Sequence, residues 1–363
     1  MKTIALKTIA LPAFDNSGEM PAIPVFEFES RIKKTLLAMK ERGLDFLLVF
    51  ADREHFANFS FLTNLDPRFE EALLLLDKNG RRKILFGNEC MAWATATAIT
   101  FEYELFQDFS LLGQDRSKSK SLEDILKEFR IGEKSKVGGA YYKYYTDKQH
   151  QLIAHKLDIP TYLSDALRDL CGDKTAVVNA NDIFMDSDKG LRNQNCLEEL
   201  VRFEWASVRT SESMKRMIRA IKPEVKEYEL ANQFQNDGIP YSCHPMLSTG
   251  AKARYGLSSP SDNVVEMGDA FTSAFGLWGA LTCRAGMIAN GPEDLQPPVA
   301  DYFERFWRNY FLVVATWYES IGIGVGGGVV MQQVENVRDQ SIFDFALNAG
   351  HTMRYKWILF RRT

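Results

Sequence analysis

A chain of 363 residues and 41.4 kDa is too long for one average domain and comfortable for two, each with a core of its own. Apolar residues make up 45% and charged residues 25%, which is globular composition and argues against disorder. With 44 basic against 48 acidic side chains the formal charge is −4, so no electrostatic footprint for nucleic acid or an anionic membrane is present.

No apolar run approaches the length of a membrane span. The five cysteines (Cys90, Cys171, Cys196, Cys243 and Cys283) are odd in number, scattered and free of any Cys-x-x-Cys pair. A disulfide framework and a zinc knuckle are therefore not expected, and the expected location is the cytoplasm. The first eleven residues faintly suggest a signal peptide, but Lys7 interrupts the apolar run and charge follows too soon.

In chain order, residues 21–25 are proline-rich and read as an extended lead-in. A helix follows, with Ile32, Leu36 and Met39 on one face, Lys33, Lys34 and Lys40 off it, and Gly43 as its stop. Residues 45–50 and 72–76 read as short buried strands. The second is closed by the turn Asp77-Lys78-Asn79-Gly80 and followed by a strand at 83–86. Residues 121–129 predict a helix, and Lys136-Val137-Gly138 opens another strand, so the N-terminal half is α/β. The run from Arg116 to Ser121 is a solvated loop, and the polar stretch 186–195 is a linker. Met214, Met217, Ile218 and Ile221 then mark one face of a long helix that Pro223 ends. Residues 241–290 suit hairpins. A last helix over 300–318 carries the stripe Phe303, Phe306, Trp307, Tyr310, Phe311 and Val314, expected to lie in the core.

Several motifs lack the context their chemistry needs. Gly322-Ile323-Gly324-Val325-Gly326-Gly327 fits Gly-x-Gly-x-x-Gly, but a helix and not a buried strand precedes it, so a helix-to-helix connection is expected. Ser117-Lys118-Ser119-Lys120 and Ser261-Asp262-Asn263 match two elements of the penicillin-binding set, yet the third, Lys-Thr-Gly, is absent. There is no Gly-x-Ser-x-Gly and no His-Glu-x-x-His. Of the five histidines, only His150 and His155 are close in sequence, in a stretch read as polar and helical, where they do not share a face. His55, in Asp52-Arg53-Glu54-His55, follows a strand end and reads as part of a salt-bridged loop with Asp66-Pro67-Arg68-Phe69-Glu70-Glu71; a substrate-facing loop is the minority reading. His244, between Cys243 and Pro245, reads as a loop histidine.

From Glu198 onward the chain resembles the Xaa-Pro aminopeptidase, prolidase and creatinase family. The resemblance is carried by Glu198-Glu199-Leu200-Val201-Arg202 with its helix, and by Ile221-Lys222-Pro223-Glu224-Val225-Lys226-Glu227-Tyr228-Glu229-Leu230, where Glu224 replaces the family's glycine. Pro260-Ser261-Asp262 with Gly268-Asp269, and Asn348-Ala349-Gly350-His351, carry it further. Arg31 and the Asp52-Arg53-Glu54-His55 segment are similar to the family's smaller domain. The fold so implied is α/β (α+β). It has a creatinase-like accessory domain over residues 1–190 and a pita-bread domain over 191–363. Strands should follow His351 in that second domain, and the chain ends at Thr363, so the domain is expected to be incomplete at its C-terminus.

The resemblance also implies a site and its loss. The family holds two divalent metals, such as Mn or Co, on two aspartates, a histidine and two glutamates, and these activate a bridging water. Here the aspartate positions fall on Ala274 and Ala285, the family's proton-donor histidine falls on Leu257, and His351 alone survives as a candidate catalytic residue. No Asp or Glu stands between Phe271 and Met287, so neither metal nor other cofactor is expected. Arg284, Cys283 and His244 are the candidate ligand-binding residues. Arg284 either receives a carboxylate where a metal would sit or is a plain surface strand residue. The expectation is a metallopeptidase-like scaffold without metal-dependent peptidase activity, binding a peptide-like or small amino-acid-like ligand as a homodimer. The rivals are an active aminopeptidase or dipeptidase and a non-catalytic partner of a complete paralogue.

Overall fold

The computed structural model describes Ile4, residues 7–15, 18–149, 151–345 and Ala349, and the backbone alone of His351–Met353 and Trp357–Leu359. The chain divides into two compact units, Ile23–Glu198 and a second made of Met1–Ala22 with Glu199–Thr363. The expected boundary near residue 190 thus stands beside a division at Glu198, with the first residues grouped with the C-terminal unit.

In the N-terminal unit, helix α1 (Val25–Glu41) starts behind Pro24 and ends where Gly43 takes a φ of 62°; the Leu44 amide then reaches back to the Met39 carbonyl at 2.9 Å. Its buried side carries Phe28, Ile32 and Met39. Buried Arg31 lies on the same side, with its guanidinium over the Phe28 and Phe61 rings at 4.7 and 4.6 Å and donating to the Phe61 carbonyl. Next come β1 (Phe46–Ala51), α2 (Ala57–Thr63), β2 (Ala72–Asp77), β3 (Arg82–Phe86), β4 (Glu102–Leu105), α3 (Leu122–Glu128), β5 (Val137–Ala140), α4 (Thr161–Cys171), β6 (Val177–Asn179) and α5 (Asp182–Met185). The six strands form one sheet in the order β4-β3-β2-β1-β5-β6. β2 is antiparallel to both its neighbours and the other pairs are parallel. Leu48, Phe50, Leu73, Leu75 and Leu85 pack with Ile125 and Leu126 of α3 and Leu163 and Leu167 of α4. The alternate residues Leu47, Val49, Leu74 and Ile84 are buried as well, so both faces of the sheet are covered, as continuous apolar strands require.

The C-terminal unit opens with α6 (Leu197–Ala220), whose buried stripe Ala206, Thr210, Ser213, Met214 and Met217 follows helical spacing. Gly18 runs along this helix, its carbonyl accepting from Trp205 Nε1 at 2.8 Å and Arg209 Nη2 at 3.0 Å. Then follow α7 (Glu227–Ala231), β7 (Met246–Thr249), β8 (Ala270–Phe275), β9 (Thr282–Met287), α8 (Arg308–Ser320), α9 (Gly327–Val337), β10 (His351–Met353) and β11 (Trp357–Leu359). β7, β8 and β9 make an antiparallel three-stranded sheet, and β10 pairs with β11. Met214 and Met217 share a core with Leu230, Leu247, Phe275, Leu277 and Ile288. The glycine-rich stretch 322–327 lies between α8 and α9, as a connection.

Glu224, the residue in place of the family's glycine, has a φ of 74°. A side chain in the left-handed region costs about 1–2 kcal/mol, and only the hydrogen bonds around it, such as its amide to the Val265 carbonyl at 3.0 Å, hold it there. Glu224→Gly is therefore expected to stabilise the C-terminal unit by about 1 kcal/mol, read as a higher urea midpoint at unchanged m-value.

Candidate functional site

The register of β8 and β9 decides what the sheet can present. Ala274 pairs with Cys283 and Thr272 with Ala285, so these four side chains share one face. Ser248 joins them, its hydroxyl 3.0 Å from that of Thr272. Ser273 pairs with Arg284 on the opposite face, where the Ser273 hydroxyl lies 3.5 Å from Met214 Sδ of α6. The hairpin turn is set by close backbone packing: a Cβ on Gly276 would stand 2.2 Å from Ser242 Oγ and 2.4 Å from the Ala280 carbonyl oxygen.

The face carrying Ala274 and Ala285 therefore offers two methyl groups, a thiol and hydroxyls. Hard or borderline divalent ions need several anionic oxygens to offset dehydration. That donor set does not fit a pair of such metals. Asp269, the acid next in sequence, is turned back on the strand start, where it accepts from the Glu266 amide at 3.0 Å.

The sequence candidates do not converge on one point. Cys283 lies on the metal-position face, whereas alternation places Arg284 on the other. The Arg284 guanidinium bonds Thr282 Oγ1 at 2.8 Å and the Cys283 carbonyl at 2.7 Å. Arg284, a candidate ligand-binding residue, thus pairs across from Ser273 and not from Ala274 or Thr272. Exposed His244 pairs with Ser259, Nε2 to Oγ at 2.6 Å. Leu257 is 76% exposed and offers no proton. Burial pushes the Cys243 thiol up to about 11, with Cys283 nearby adding to the effect, and burial raises Cys283 as well. For His351 the backbone pairs with Leu359; its side chain lies outside the described residues, as do Asn348, Gly350 and His150. His155 sits in irregular chain beside the Thr146–Leu152 bridge and not on a helix.

Behind this face lies a hub the motif search did not weigh. Glu227 is fully buried at the start of α7. One of its oxygens accepts from the Thr249 amide at 2.7 Å; the other accepts from Lys252 Nζ at 2.7 Å, the Ser261 hydroxyl at 2.8 Å and the Ser261 amide at 3.0 Å. Burial alone raises a carboxyl pKa, but these donors outweigh it and hold Glu227 below the ordinary glutamate range.

In the N-terminal unit, the charged segment at the carboxyl end of β1 pairs within itself, His55 Nδ1 lying 3.5 Å from Asp52 Oδ1, and Arg68 likewise pairs with Asp66 at 3.6 Å. The Tyr141 hydroxyl, just past β5, donates to Asp52 Oδ2 at 2.5 Å, and His55 Nδ1 lies 3.1 Å from the same hydroxyl. Burial opposes the Asp52 charge, yet Tyr141 and the amides of His55 and Glu54 keep its carboxyl below the ordinary range. Glu27, Cys196 and Glu198 bring ligand atoms within 4.8 Å of one another. Both glutamates stand in first turns of helices, where the dipole already favours a carboxylate, so the grouping is explained without a cation.

No protein-family model and no curated protein matches the sequence. Solved structures do. An Xaa-Pro dipeptidase from Bacillus anthracis is 14% identical, with a TM-score of 0.64 over 92% of this chain and 84% of that one. The prolidase from Pyrococcus horikoshii OT3 is 14% identical, with a TM-score of 0.66 over 91% and 83%. An X-Pro aminopeptidase from Thermotoga maritima MSB8 is 14% identical, with a TM-score of 0.63 over 91% and 85%.

The chain has the fold of the prolidases and Xaa-Pro peptidases.

Among the described residues no helix is long and apolar enough to cross a membrane.

Proposed function

We propose that this chain is a prolidase-like protein without metal-dependent hydrolysis that binds a peptide-like or small amino-acid-like ligand, as a cytoplasmic homodimer. One observation carries the reading. The sheet face that bears the two metal-ligand positions presents Ala274, Ala285, Cys283 and Thr272, with no carboxylate. Loss of both anionic ligands removes the charge that would hold two divalent ions and lower the pKa of a bridging water. What remains is a scaffold with hydroxyls and a thiol on one sheet face, suited to holding a polar ligand and not to activating a nucleophile.

Elemental analysis of protein purified without chelator, with Mn²⁺ and Co²⁺ titrations followed by thermal unfolding, tests this. The expected result is no stoichiometric metal and no rise in Tm. A genuine site filled at 100 times its Kd adds about 2.7 kcal/mol, which a melting curve reads easily. Two metals per chain would sink the proposal and restore a metallopeptidase.

A further inference from the structure

We infer that the cleft beside β9 is a binding site for a small amphipathic carboxylate, an apolar or aromatic body carrying one anionic head. The cleft is about 900 Å³ and lies between the β8–β9 hairpin, the segment following β7 and the 302–320 helix. One wall is made of Tyr302, Phe306, Trp307, Tyr310, Phe311 and Tyr318. Tyr302, Phe306 and Tyr310 stack in a ladder, with ring centroids 5.2 and 5.8 Å apart and planes within 13° and 11°. Such a wall takes a flat or branched apolar body.

The charges in the cleft are of one sign. Arg254 and Arg284 line it, and no acidic side chain does. Arg284 is held against β9 by Thr282 and the Cys283 carbonyl through Nη1 alone, and among the described residues its Nη2 and Nε have no acceptor. Arg254 lies over the Tyr255 ring at 4.8 Å and donates to its hydroxyl at 2.7 Å. Two arginines in a lining that holds no acid favour a planar anion, because each guanidinium offers a forked pair of donors matching a carboxylate. A cationic head meets repulsion from both. The inference rests on the proposed function only in placing a ligand against β9.

Calorimetric titration of the full chain with 4-phenylbutyrate, 4-phenylbutyramide and 4-phenylbutylamine tests it. The acid is expected to bind about tenfold tighter than the amide, and the amine weakest. R284Q and R254Q should each reduce that preference, weakening the acid more than the amide, and V314W should weaken all three by filling the cleft. Equal affinity for the three probes, or no binding of any, would overturn the inference without recourse to a variant. The probes contain no peptide bond and the titration no added metal, so this result and the metal analysis fail independently.

Discussion

Replacing Glu227 by alanine is expected to cost the C-terminal unit about 3–5 kcal/mol, because breaking a buried ion pair leaves the other charge uncompensated. The partner is Lys252, whose Nζ also donates to the Ser259 carbonyl at 2.7 Å and to Ser261 Oγ at 2.9 Å. Removing the carboxylate takes one of three partners from that ammonium and leaves the Thr249 and Ser261 amides without their acceptor, and each buried donor left unmade adds about 1–3 kcal/mol. Glu227→Gln keeps an acceptor oxygen and should cost less; combining it with Lys252→Met should cost less than the sum of the two, since the stranded charge leaves with the lysine. The pH dependence has a definite sign. The Glu227 carboxyl is held below its ordinary value in the folded state. Its contribution is therefore complete above the unfolded glutamate pKa of about 4.3 and disappears as pH falls through the lower folded value. Urea midpoints measured from pH 7 down through that range should drop for the native chain more than for Glu227→Gln. An alanine variant as stable as the parent would mean the hub is replaceable by water.

Periodicity made much of this fold legible and left other elements hidden, the 11-residue helices α4 and α9 among them. Helix α1 and strands β1 to β3 follow from runs such as Ala72-Leu73-Leu74-Leu75-Leu76, where burial on both sheet faces produces an unbroken apolar string. α2, α4, β4 and β6 were not legible: β6 has three residues, and β4, Glu102-Tyr103-Glu104-Leu105, is a half-exposed edge with charges on it. The aromatic stripe from Phe303 to Val314 has helical spacing but forms a cleft wall and not the expected core; Val313 and Thr316 are the residues of α8 that are buried. Its start at Tyr302–Trp307 is a π-helix, which rotates the stripe relative to a regular helix. In the site, the missing carboxylates follow from the family resemblance, which puts the aspartate positions on Ala274 and Ala285. The separation of Cys283 from Arg284 was not, because it depends on strand alternation, and adjacency in sequence places neighbours on opposite faces. The Asp52–Tyr141 pair joins residues 89 apart in sequence and has no local signal.

The second large effect is expected at Asn181, in the N-terminal unit. Its side chain has both ends engaged in a buried site. The carbonyl accepts from the Tyr141 amide at 2.9 Å and Asn58 Nδ2 at 3.0 Å; the amide donates to the Lys143 carbonyl at 2.8 Å and Asp158 Oδ1 at 2.9 Å. These bonds tie the ends of β5 and β6 to α2 and so set where Tyr141 stands. Asn181→Leu matches the volume but strands several of these groups, and should cost about 3 kcal/mol or more. Asn181→Asp separates geometry from mere packing, because it keeps the shape and replaces a donor with an acceptor facing Asp158. Burial already pushes the Asp158 carboxyl above the ordinary aspartate range. In that variant a shared proton becomes the missing donor, so the folded state binds protons more readily than the unfolded one, and the deficit at pH 7 should shrink as pH is lowered toward 5. The native chain has no such shared proton, so any gain it shows over that interval, from the raised Asp158 carboxyl, should be smaller than the gain in the variant. Urea unfolding followed by tyrosine near-ultraviolet circular dichroism reads both quantities. A pH-independent deficit in Asn181→Asp would mean that water, and not Asp158, takes the amide's place, and the loop bearing Tyr141 would then owe its position to packing alone.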